Sequence, residues 1–423
     1  MTGDPREVDV LIVGAGPAGL AAGAELAAAG AGRVEILERE QEAGGIPRHC
    51  HHGGFGGRLD RSAYTWASAA GASYARRGTT GPAYARRNVA EALEAGAVLR
   101  TGVTVTGWAG PRTVETTGPG GLERVTARAV VLATGARERP RSARLIPGSR
   151  PPGVYTTGEL QQAVHLYGQW IGSRAVVVGD EPVSHAAVAT LRTAGVHVVA
   201  VVTGRPRAWT RPRGTRTPLL TGATVTGLTG RTRLSGVELR HEDGRTTTLR
   251  CDTVVLTGDF VPDHELARRG GILLDPGTRG PAYDADHRTS RPGVFAAGNL
   301  LHAVESAGFA AREGRAVAVP VLRRLAGTEV PAGDGKPLLV DAPLSWIAPN
   351  VTGPHGARPL ADRFVLRTAR RLVRPLLLVS QDGRELHRRR LLSAVSPGRS
   401  FHLSADWADR VDPDGAPVRI TAL

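Results

Sequence analysis

The chain has 423 residues, which at about 100 to 200 residues per domain predicts two or three domains. Hydrophobic residues make up 41% and charged residues 22%, as in soluble globular proteins, and glycine interrupts every long apolar stretch, so no transmembrane span is predicted. The two cysteines, Cys50 and Cys251, are too few for a disulfide framework or a four-thiolate iron–sulfur or zinc site within this chain.

The formal net charge of +15 comes almost wholly from arginine, since Lys336 is the only lysine. We interpret it as arginine scattered over solvated surfaces, with a basic docking surface for an acidic partner as the alternative. No zinc-finger, RRM or helix-turn-helix signature accompanies the charge, so nucleic acid is not a predicted partner.

The first forty residues predict a strand, a glycine turn, a helix and a second strand. An apolar run over 9–13 leads into the turn Gly14 to Gly19, an alanine-rich helix follows over 20–29, and a strand over 34–37 ends at Glu38. Acidic residues precede the first run, so we interpret it as mature fold rather than as a signal peptide, and we expect a cytoplasmic protein.

The glycine spacing and the acidic residue 24 positions after Gly14 predict a dinucleotide site. Gly14 permits the tight turn, Gly16 lets a pyrophosphate approach the backbone, and Gly19 lets helix and strand pack closely. The helix N-terminus offers N–H groups to the phosphates, and the Glu38 carboxylate would accept from ribose hydroxyls, which favours FAD or NAD over NADP. The predicted contacts here are Gly14, Gly16, Pro17, Ala18, Gly19, Glu38 and Arg39.

The segment from Gly44 to Gly57 is rich in glycine and histidine and predicts a long loop of the kind that carries function. A helix is predicted over 84–95, a small antiparallel meander over 103–108, 113–117 and 124–127, and a buried strand over 129–133 that ends in Thr134-Gly135.

A second strand–turn–helix–strand pattern, with elements over 175–178, 185–194 and 196–202, is a weaker copy of the first. Strands near 225 and over 234–240, 246–249 and 253–256 follow, then a strand that ends at Gly298-Asn299 and a long helix over 306–325. After a linker over 332–335, short apolar stretches predict a β-rich segment. We therefore expect a discontinuous FAD-binding domain (1–155 and 255–330), a second domain (156–254) and a small β-rich C-terminal domain (331–423).

The pair Gly44-Gly45, the strand end 131–135 and the late motif 294–299 resemble the two-dinucleotide-binding-domain flavoproteins of the glutathione-reductase and thioredoxin-reductase type over residues 6 to 325. The resemblance implies FAD and an α/β fold with two Rossmann-like domains. It adds Gly45, Ile46, Ala133, Thr134, Gly135, Gly298, Asn299 and His302 to the predicted contacts. In that family the late motif usually reaches the flavin's ribityl and pyrophosphate portion through Asp, where this chain has Asn299.

The stretches 44–56, 84–87, 133–140, 298–302 and 380–383 look like those of the FAD subunits of hydrogen cyanide synthase (B), opine oxidase (A) and proline or hydroxyproline dehydrogenase (alpha). The resemblance implies a heteromeric complex that oxidises an amine or amino-acid-type substrate. Its implied partners are a second flavoprotein subunit, together with a small iron–sulfur subunit.

The second glycine turn departs from the pattern of a nucleotide site. It has Gly179, Glu181 and Ser184, and Glu181 brings bulk and negative charge to where a phosphate must approach. NAD(P) is therefore a doubtful cofactor. We interpret Arg205 and Arg207 as ordinary surface arginines, with contact to a 2′-phosphate as the alternative. The run 388–390, three arginines, is a solvated strand face or an interface.

Histidine and cysteine in the loop over 48–52 suggest a metal, but adjacent residues point apart and no second cluster supplies ligands, so we expect none. The resemblance places Cys50 and His52 near the isoalloxazine ring, as catalytic residues that exchange a proton or as residues that only shape the pocket. His302, just after the late motif, would approach the pyrimidine side of the flavin.

The preferred interpretation of the sequence is an FAD-dependent oxidoreductase that passes electrons between an amine-type donor and a protein acceptor. A self-contained NAD(P)H-dependent flavoprotein reductase or oxidase is the first alternative. A flavin-binding scaffold without catalysis of its own is the second.

Overall fold

The computed structural model describes residues 5–56, 78–208, 217–329, 335–353 and 357–423. Its first sheet has seven strands in the order β3-β2-β1-β6-β5-β4, with β17 beside β6. These strands are β1 (Arg6–Val13), β2 (Val34–Leu37), β3 (Val98–Arg100), β4 (Thr104–Trp108), β5 (Thr113–Gly118), β6 (Gly121–Leu132) and β17 (Val294–Ala296). The predicted strand–turn–helix–strand unit at the start of the chain is confirmed.

Strand β6 joins two parts that the sequence suggested were separate. The predicted pieces over 124–127 and 129–133 form one strand of 12 residues. Its first half pairs antiparallel with β5, and its second half pairs parallel with both β1 and β17. The meander is therefore an extension of the parallel sheet.

The helices of the described residues that pack around the first sheet are α1 (Pro17–Ala28), α2 (Gly81–Glu94), α6 (Ala307–Ala316) and α7 (Ala318–Leu325). The prediction of one long helix over 306–325 is wrong, because the helix is divided at Val317. Pro320 explains the break, since proline has no N–H to donate to the carbonyl four residues earlier and its ring clashes with that carbonyl.

A second, five-stranded parallel sheet has the order β11-β10-β9-β15-β8. Its strands are β8 (Val154–Thr156), β9 (Arg174–Val178), β10 (His197–Val202), β11 (Leu219–Leu220) and β15 (Thr253–Leu256), and its helices are α3 (Thr157–His165) and α4 (Pro182–Thr193). An antiparallel meander of β12 (Ala223–Gly230), β13 (Leu234–His241) and β14 (Thr246–Arg250) accompanies it. Both β8 and β15 lie wholly in this sheet, while the division into domains at residues 155 and 255 stays a prediction.

A short antiparallel ribbon of β7 (Ala136–Glu138) and β16 (Phe260–Pro262) lies where the chain passes between the two parallel sheets. The helix α5 (Glu265–Arg269) follows β16. The ribbon places residues that follow β6 beside residues that follow β15.

The C-terminal part is rich in strands, as the sequence predicts. One sheet has the order β18-β24-β21-β22 and a second has the order β19-β20-β23. The strands are β18 (Leu338–Val340), β19 (Leu344–Ala348), β20 (Arg363–Thr368), β21 (Leu376–Gln381), β22 (Arg384–Arg390), β23 (Phe401–Ser404) and β24 (Val418–Ala422). The predicted linker at 332–334, like Gly57, lies outside the described residues.

The predicted fold class is confirmed: an α/β protein with two Rossmann-like parallel sheets and a β-rich C-terminal part. In the part of the chain that the structure describes, no helix has both the length and the apolar character needed to cross a membrane. The carboxyl ends of both parallel sheets open toward one cavity, which is where ligands bind in such folds.

Candidate functional site

A cavity of about 1190 Å³ brings together most of the residues predicted to form the site. Those on its wall are Gly14, Gly16, Pro17, Ala18, Glu38, Arg39, Gly45, Ile46, Cys50, His52, Ala133, Thr134, Gly135 and Asn299. Gly19, Gly298 and His302 lie behind the wall. The cavity therefore joins segments separated by up to about 285 residues of sequence into one site (14 to 299).

The first glycine turn has the geometry of a phosphate cradle. Gly14 has φ +104°, and a Cβ there would lie 2.5 Å from the carbonyl oxygen of Ala133. A Cβ on Gly19 would lie 1.9 Å from the Gly14 carbonyl oxygen, so helix and strand pack as closely as predicted. Nothing lies within 4 Å of the Cβ position of Gly16. The backbone at the start of α1 is therefore open to a ligand, and its N–H groups are suited to phosphate oxygens.

Glu38 stands at the end of β2 on the cavity wall and is 8% exposed. Its Oε2 accepts from the Ala15 N–H at 2.9 Å and its Oε1 accepts from the Glu40 N–H at 3.0 Å. Arg39, beside it, reaches Asp263 at 3.4 Å. The Glu38 carboxylate is thus fixed by the glycine turn itself, which orients it toward the same cavity as Gly16.

The late motif supports the turn from the other side. Gly298 has φ +76°, and a Cβ there would lie 2.6 Å from the Cβ of Ala18, so only glycine lets this segment approach α1 so closely. The Asn299 amide donates to the Glu305 carbonyl at 3.2 Å and accepts from the Glu305 N–H at 2.8 Å. Asn299 lies on the wall, and both ends of its amide hold the loop before α6.

Cys50 and His52 lie on the wall in uncharged forms. The Cys50 thiol donates to Gln161 at 3.4 Å, and burial raises its pKa to about 12, so it is not a thiolate nucleophile at neutral pH. Nδ1 of His52 lies 2.9 Å from the Gly53 carbonyl oxygen, its ring stacks on Phe55 at 5.2 Å, and burial lowers its pKa. Both residues are suited to shaping a pocket for an aromatic group.

His302 does not reach the cavity. Its ring is fully buried, and Nε2 lies 3.0 Å from Oε1 of Glu313. Burial acts to lower the pKa of His302, but the Glu313 carboxylate outweighs it and raises that pKa. The residue holds α6 against the late motif from behind. Among the described residues, no three His, Cys, Asp or Glu side chains are grouped closely enough to hold a metal.

Sequence reasoning missed Glu138, a carboxyl on the wall between the two parallel sheets. It accepts from the Gly158 N–H at 3.0 Å and from the Gly258 N–H at 3.1 Å. Burial raises its pKa to about 7. The stretch 133–140 resembles a family pattern only as a whole. Nothing in the sequence around Glu138 indicates that its carboxyl links the two parallel sheets.

The second glycine turn is filled by its own side chains. Gly179 has φ +125°, but Oε2 of Glu181 lies 2.6 Å from its Cβ position and accepts from Thr257 at 3.2 Å. Asp180 is buried and forms an ion pair with Arg205, which also approaches Glu181 at 3.3 Å. Arg205, considered above for a 2′-phosphate, is therefore engaged by two carboxylates, and Arg207 is exposed and off the wall. The turn faces the cavity with a carboxylate where the first turn is open.

The chain belongs to the pyridine nucleotide-disulphide oxidoreductase family, whose model matches residues 8–314. This membership identifies it as an FAD-dependent oxidoreductase. The open turn at Gly16, the fixed carboxylate of Glu38 and the size of the cavity fit FAD.

Curated relatives within this class are named as subunits of oxidases. The chain is 31% identical to the alpha subunit of sarcosine oxidase from Rhizobium meliloti (strain 1021) over 75% of its own length and 30% of the relative. It is 28% identical to an opine oxidase subunit of Rhizobium meliloti over 70% of its own length and 59% of the relative. It thus spans less than two thirds of these relatives.

Two solved structures share the fold. The thioredoxin reductase of T. acidophilum has a TM-score of 0.59 at 21% identity, covering 76% of this chain and 99% of that one. The L-proline dehydrogenase of P. horikoshii has a TM-score of 0.55 at 18% identity, covering 78% of this chain and 58% of that one. The predicted resemblance to opine oxidase is confirmed, that to proline dehydrogenase is confirmed for the fold, and that to hydrogen cyanide synthase stays a prediction.

Proposed function

We propose that this chain is the FAD-carrying electron-transfer subunit of a complex that oxidises an amine of the amino-acid or opine type. The observation that carries the proposal is the contrast on one cavity wall between an open phosphate cradle at Gly16 and a carboxylate-filled turn at Glu181. Bound FAD would supply reversible storage of two electrons, and the chain's own residues would bind and orient it.

In this proposal the first turn and the N-terminus of α1 hold the pyrophosphate, and Glu38 accepts from the ribose hydroxyls. The segment Ala133–Gly135 and Asn299 complete the cradle, while Cys50 and His52, both uncharged, line the pocket without transferring protons. Glu138, whose burial raises its pKa to about 7, links the two halves of the wall through the Gly158 and Gly258 N–H groups.

We infer two partners for this chain: a second flavoprotein subunit and a small iron–sulfur subunit. The relatives named above as oxidase subunits support a complex of several chains. With only two cysteines, both free and buried, this chain cannot hold a cluster by itself, so a cluster relay would have to lie in a partner. Free thiols also need no oxidising compartment, which supports the cytoplasmic location we propose.

The NAD(P)H-dependent alternative is disfavoured at the second turn. A phosphate that approached Gly179 would meet the Glu181 carboxylate, and two like charges about 4 Å apart cost on the order of 1 to 4 kcal/mol at surface-like dielectric. Removal of that carboxylate from the turn would also release Arg205 and Thr257, which it now accepts from.

The test is co-expression of this chain with the products of its neighbouring genes, followed by anaerobic reduction with sarcosine, L-proline and an opine. We expect a stable complex whose flavin absorbance is bleached by at least one of these donors. A chain that purifies alone as an active monomer, with flavin reduced by NADH, would contradict the proposal.

A further inference from the structure

The C-terminal β-rich part contributes one side of the cavity, although it lies beyond the segment that the family model matches. Its contributions come from β19, from the end of β20 and from the turn before β23. The residues are Ser345, Trp346, Arg367, Thr368, Ala369, Pro397, Gly398, Arg399 and Ser400. The cavity therefore extends past the dinucleotide motifs to a region whose chemistry the C-terminal part determines.

The arginines on the wall divide by the partners of their guanidinium groups. Among the described residues, those that reach a carboxylate are Arg39, Arg48, Arg137, Arg205 and Arg367. Arg279 donates to the Phe260 carbonyl at 2.9 Å. Arg399 is the remaining wall arginine, and within the described part of the chain its guanidinium has no hydrogen-bond acceptor and no ion pair.

Arg399 is held in place rather than free in solvent. Its N–H donates to the Ser396 carbonyl at 3.1 Å, which closes the turn, and the next residue, Ser400, is buried. The side chain of Arg399 is half-buried, and burial alone lowers its pKa, without an opposing carboxylate. A partly desolvated cation without a counter-charge is unfavourable until an anion pairs with it.

The charges nearest to this turn along the wall cancel one another. The buried Glu305 carboxylate lies 3.6 Å from Arg367, and it accepts from the Ser400 hydroxyl. Arg367 also donates to the Val304 carbonyl at 3.2 Å. Glu305 and Arg367 thus offset one another, whereas among the described residues no carboxylate pairs with Arg399.

We propose that Arg399 binds the carboxylate of an amino-acid-type ligand at the C-terminal end of the cavity. The planar guanidinium matches a carboxylate through two parallel hydrogen bonds, a geometry that an amide or ester cannot reproduce with the same charge. This inference rests on the proposed function, because it states that the amine oxidised by the complex carries a carboxyl group. It also gives the C-terminal part a role in substrate specificity. The ligand is either the amine donor or a 2-oxo acid, which is released together with an amine when water hydrolyses the imine formed by two-electron oxidation of the donor.

The experiment measures binding by calorimetry to the full-length, FAD-loaded chain, with no turnover required. The probes are L-proline and sarcosine as amines, glyoxylate as an oxo acid, inorganic phosphate, and L-prolinamide, which keeps the ring amine of L-proline but has an uncharged amide in place of its carboxylate. We expect L-proline or glyoxylate to bind at least about tenfold more tightly than L-prolinamide, since one charge-assisted bidentate contact is worth about 1.5 to 3 kcal/mol. Tighter binding of L-proline would indicate that the site prefers an amino acid, and tighter binding of glyoxylate would indicate that it prefers an oxo acid.

The variant Arg399→Gln should lose that preference for the acid, and Arg399→Lys should keep part of it. Arg279→Gln is the matched control, because Arg279 is on the same wall but already has an acceptor. Equal binding of acid and amide by the unmodified chain would overturn the proposal, as would an unchanged preference in Arg399→Gln or tighter binding of inorganic phosphate than of any carboxylate. The acid and amide comparison needs no variant, so a misfolded variant leaves the test intact.

The two proposals fail in distinguishable ways. A chain that discriminates acid from amide through Arg399 but joins no partner subunit would refute the proposed function and support the subsite. A chain that forms the flavin-containing complex but does not discriminate acid from amide would refute the subsite and leave the proposed function standing.

Discussion

The two glycine turns have the same topology, but the first is open at its middle position and the second is filled there by a carboxylate. Each follows a parallel strand, opens a helix with proline at its start and faces the same cavity. In the first turn the middle position is Gly16, with open space where a side chain would stand, and in the second it is Glu181, whose carboxylate lies against Gly179 and Gly258. A strand–turn–helix frame therefore provides the site, and one side chain decides whether a phosphate can enter it.

The difference extends to the acidic residues around each turn. Glu38 lies beside the first turn on the cavity wall, and its carboxylate accepts from two backbone N–H groups. Asp180 lies within the second turn, buried, and is neutralised by Arg205. The first arrangement leaves backbone donors for a ligand, whereas in the second the carboxylates of Asp180 and Glu181 accept from the side chains of Arg205 and Thr257.

The largest expected effect comes from giving the first turn the residue of the second. Gly16→Glu should weaken FAD binding at least about a hundredfold, because it adds a carboxylate within about 4 Å of the pyrophosphate and fills the cradle. Flavin content after purification and titration of the apoprotein with FAD measure the loss. Ala28→Glu, at the exposed end of the same helix, is the charge-matched control, and equal flavin content in both variants would contradict the assignment of the cradle.

A second effect concerns Glu138, which links the two halves of the wall through Gly158 and Gly258. Its pKa is raised to about 7, so between about pH 4.5 and 7 the folded chain keeps a proton that the unfolded chain has lost. The stability of the folded state should therefore fall by about 2 kcal/mol from pH 5 to pH 7 and then level off. Thermal or urea unfolding of Glu138→Gln should lack this slope, while Glu385→Gln, at a fully exposed carboxyl, should retain it. Parallel profiles for all three proteins would show that Glu138 titrates normally.

The third prediction tests the carboxylate beside the open turn. Glu38→Gln should weaken FAD binding by about tenfold, because it removes a charge-assisted acceptor for the ribose hydroxyls and the acceptor that fixes the Ala15 N–H. Titration of the apoprotein measures the change. The control Glu40→Gln removes a neighbouring exposed carboxylate, and an equal loss in that variant would assign the effect to general charge instead of to Glu38.

The smallest expected effect is tighter nucleotide binding at the second turn. Glu181→Gly should tighten binding of NADH by about fivefold, because it removes a like charge from the approach of a phosphate. Glu181→Gln separates charge from bulk, since it keeps the side-chain size. Fluorescence titration with NADH checks both variants, and unchanged affinity in both would mean that the topology of this turn, rather than Glu181, excludes the nucleotide.

The first turn was predictable because its information is local. Gly14, Gly16, Gly19 and Glu38 lie within 25 residues of one another, and each has a backbone role that no other residue type fills as well. The late motif at Asn299 was predictable only by resemblance, since nothing in its own spacing places it beside α1.

The C-terminal end of the cavity was not predictable, because its contacts cross long stretches of chain. Arg367 meets the carbonyl of Val304 across 63 residues, and Arg399 reaches the wall through a turn that has no motif. His302 was predicted at the flavin because it follows the late motif, but Glu313 on α6 pairs with it behind the wall. Which side of a segment faces a cavity depends on such packing partners.

The central claim is that the cavity holds FAD at the first turn and that the second turn does not accept a nicotinamide nucleotide. Anaerobic titration of the FAD-loaded chain with stoichiometric NADH, and separately with NADPH, tests it most directly, with dithionite as the control that the flavin is reducible. We expect dithionite to bleach the flavin absorbance and neither nucleotide to do so. Stoichiometric bleaching by NADH or NADPH would contradict it.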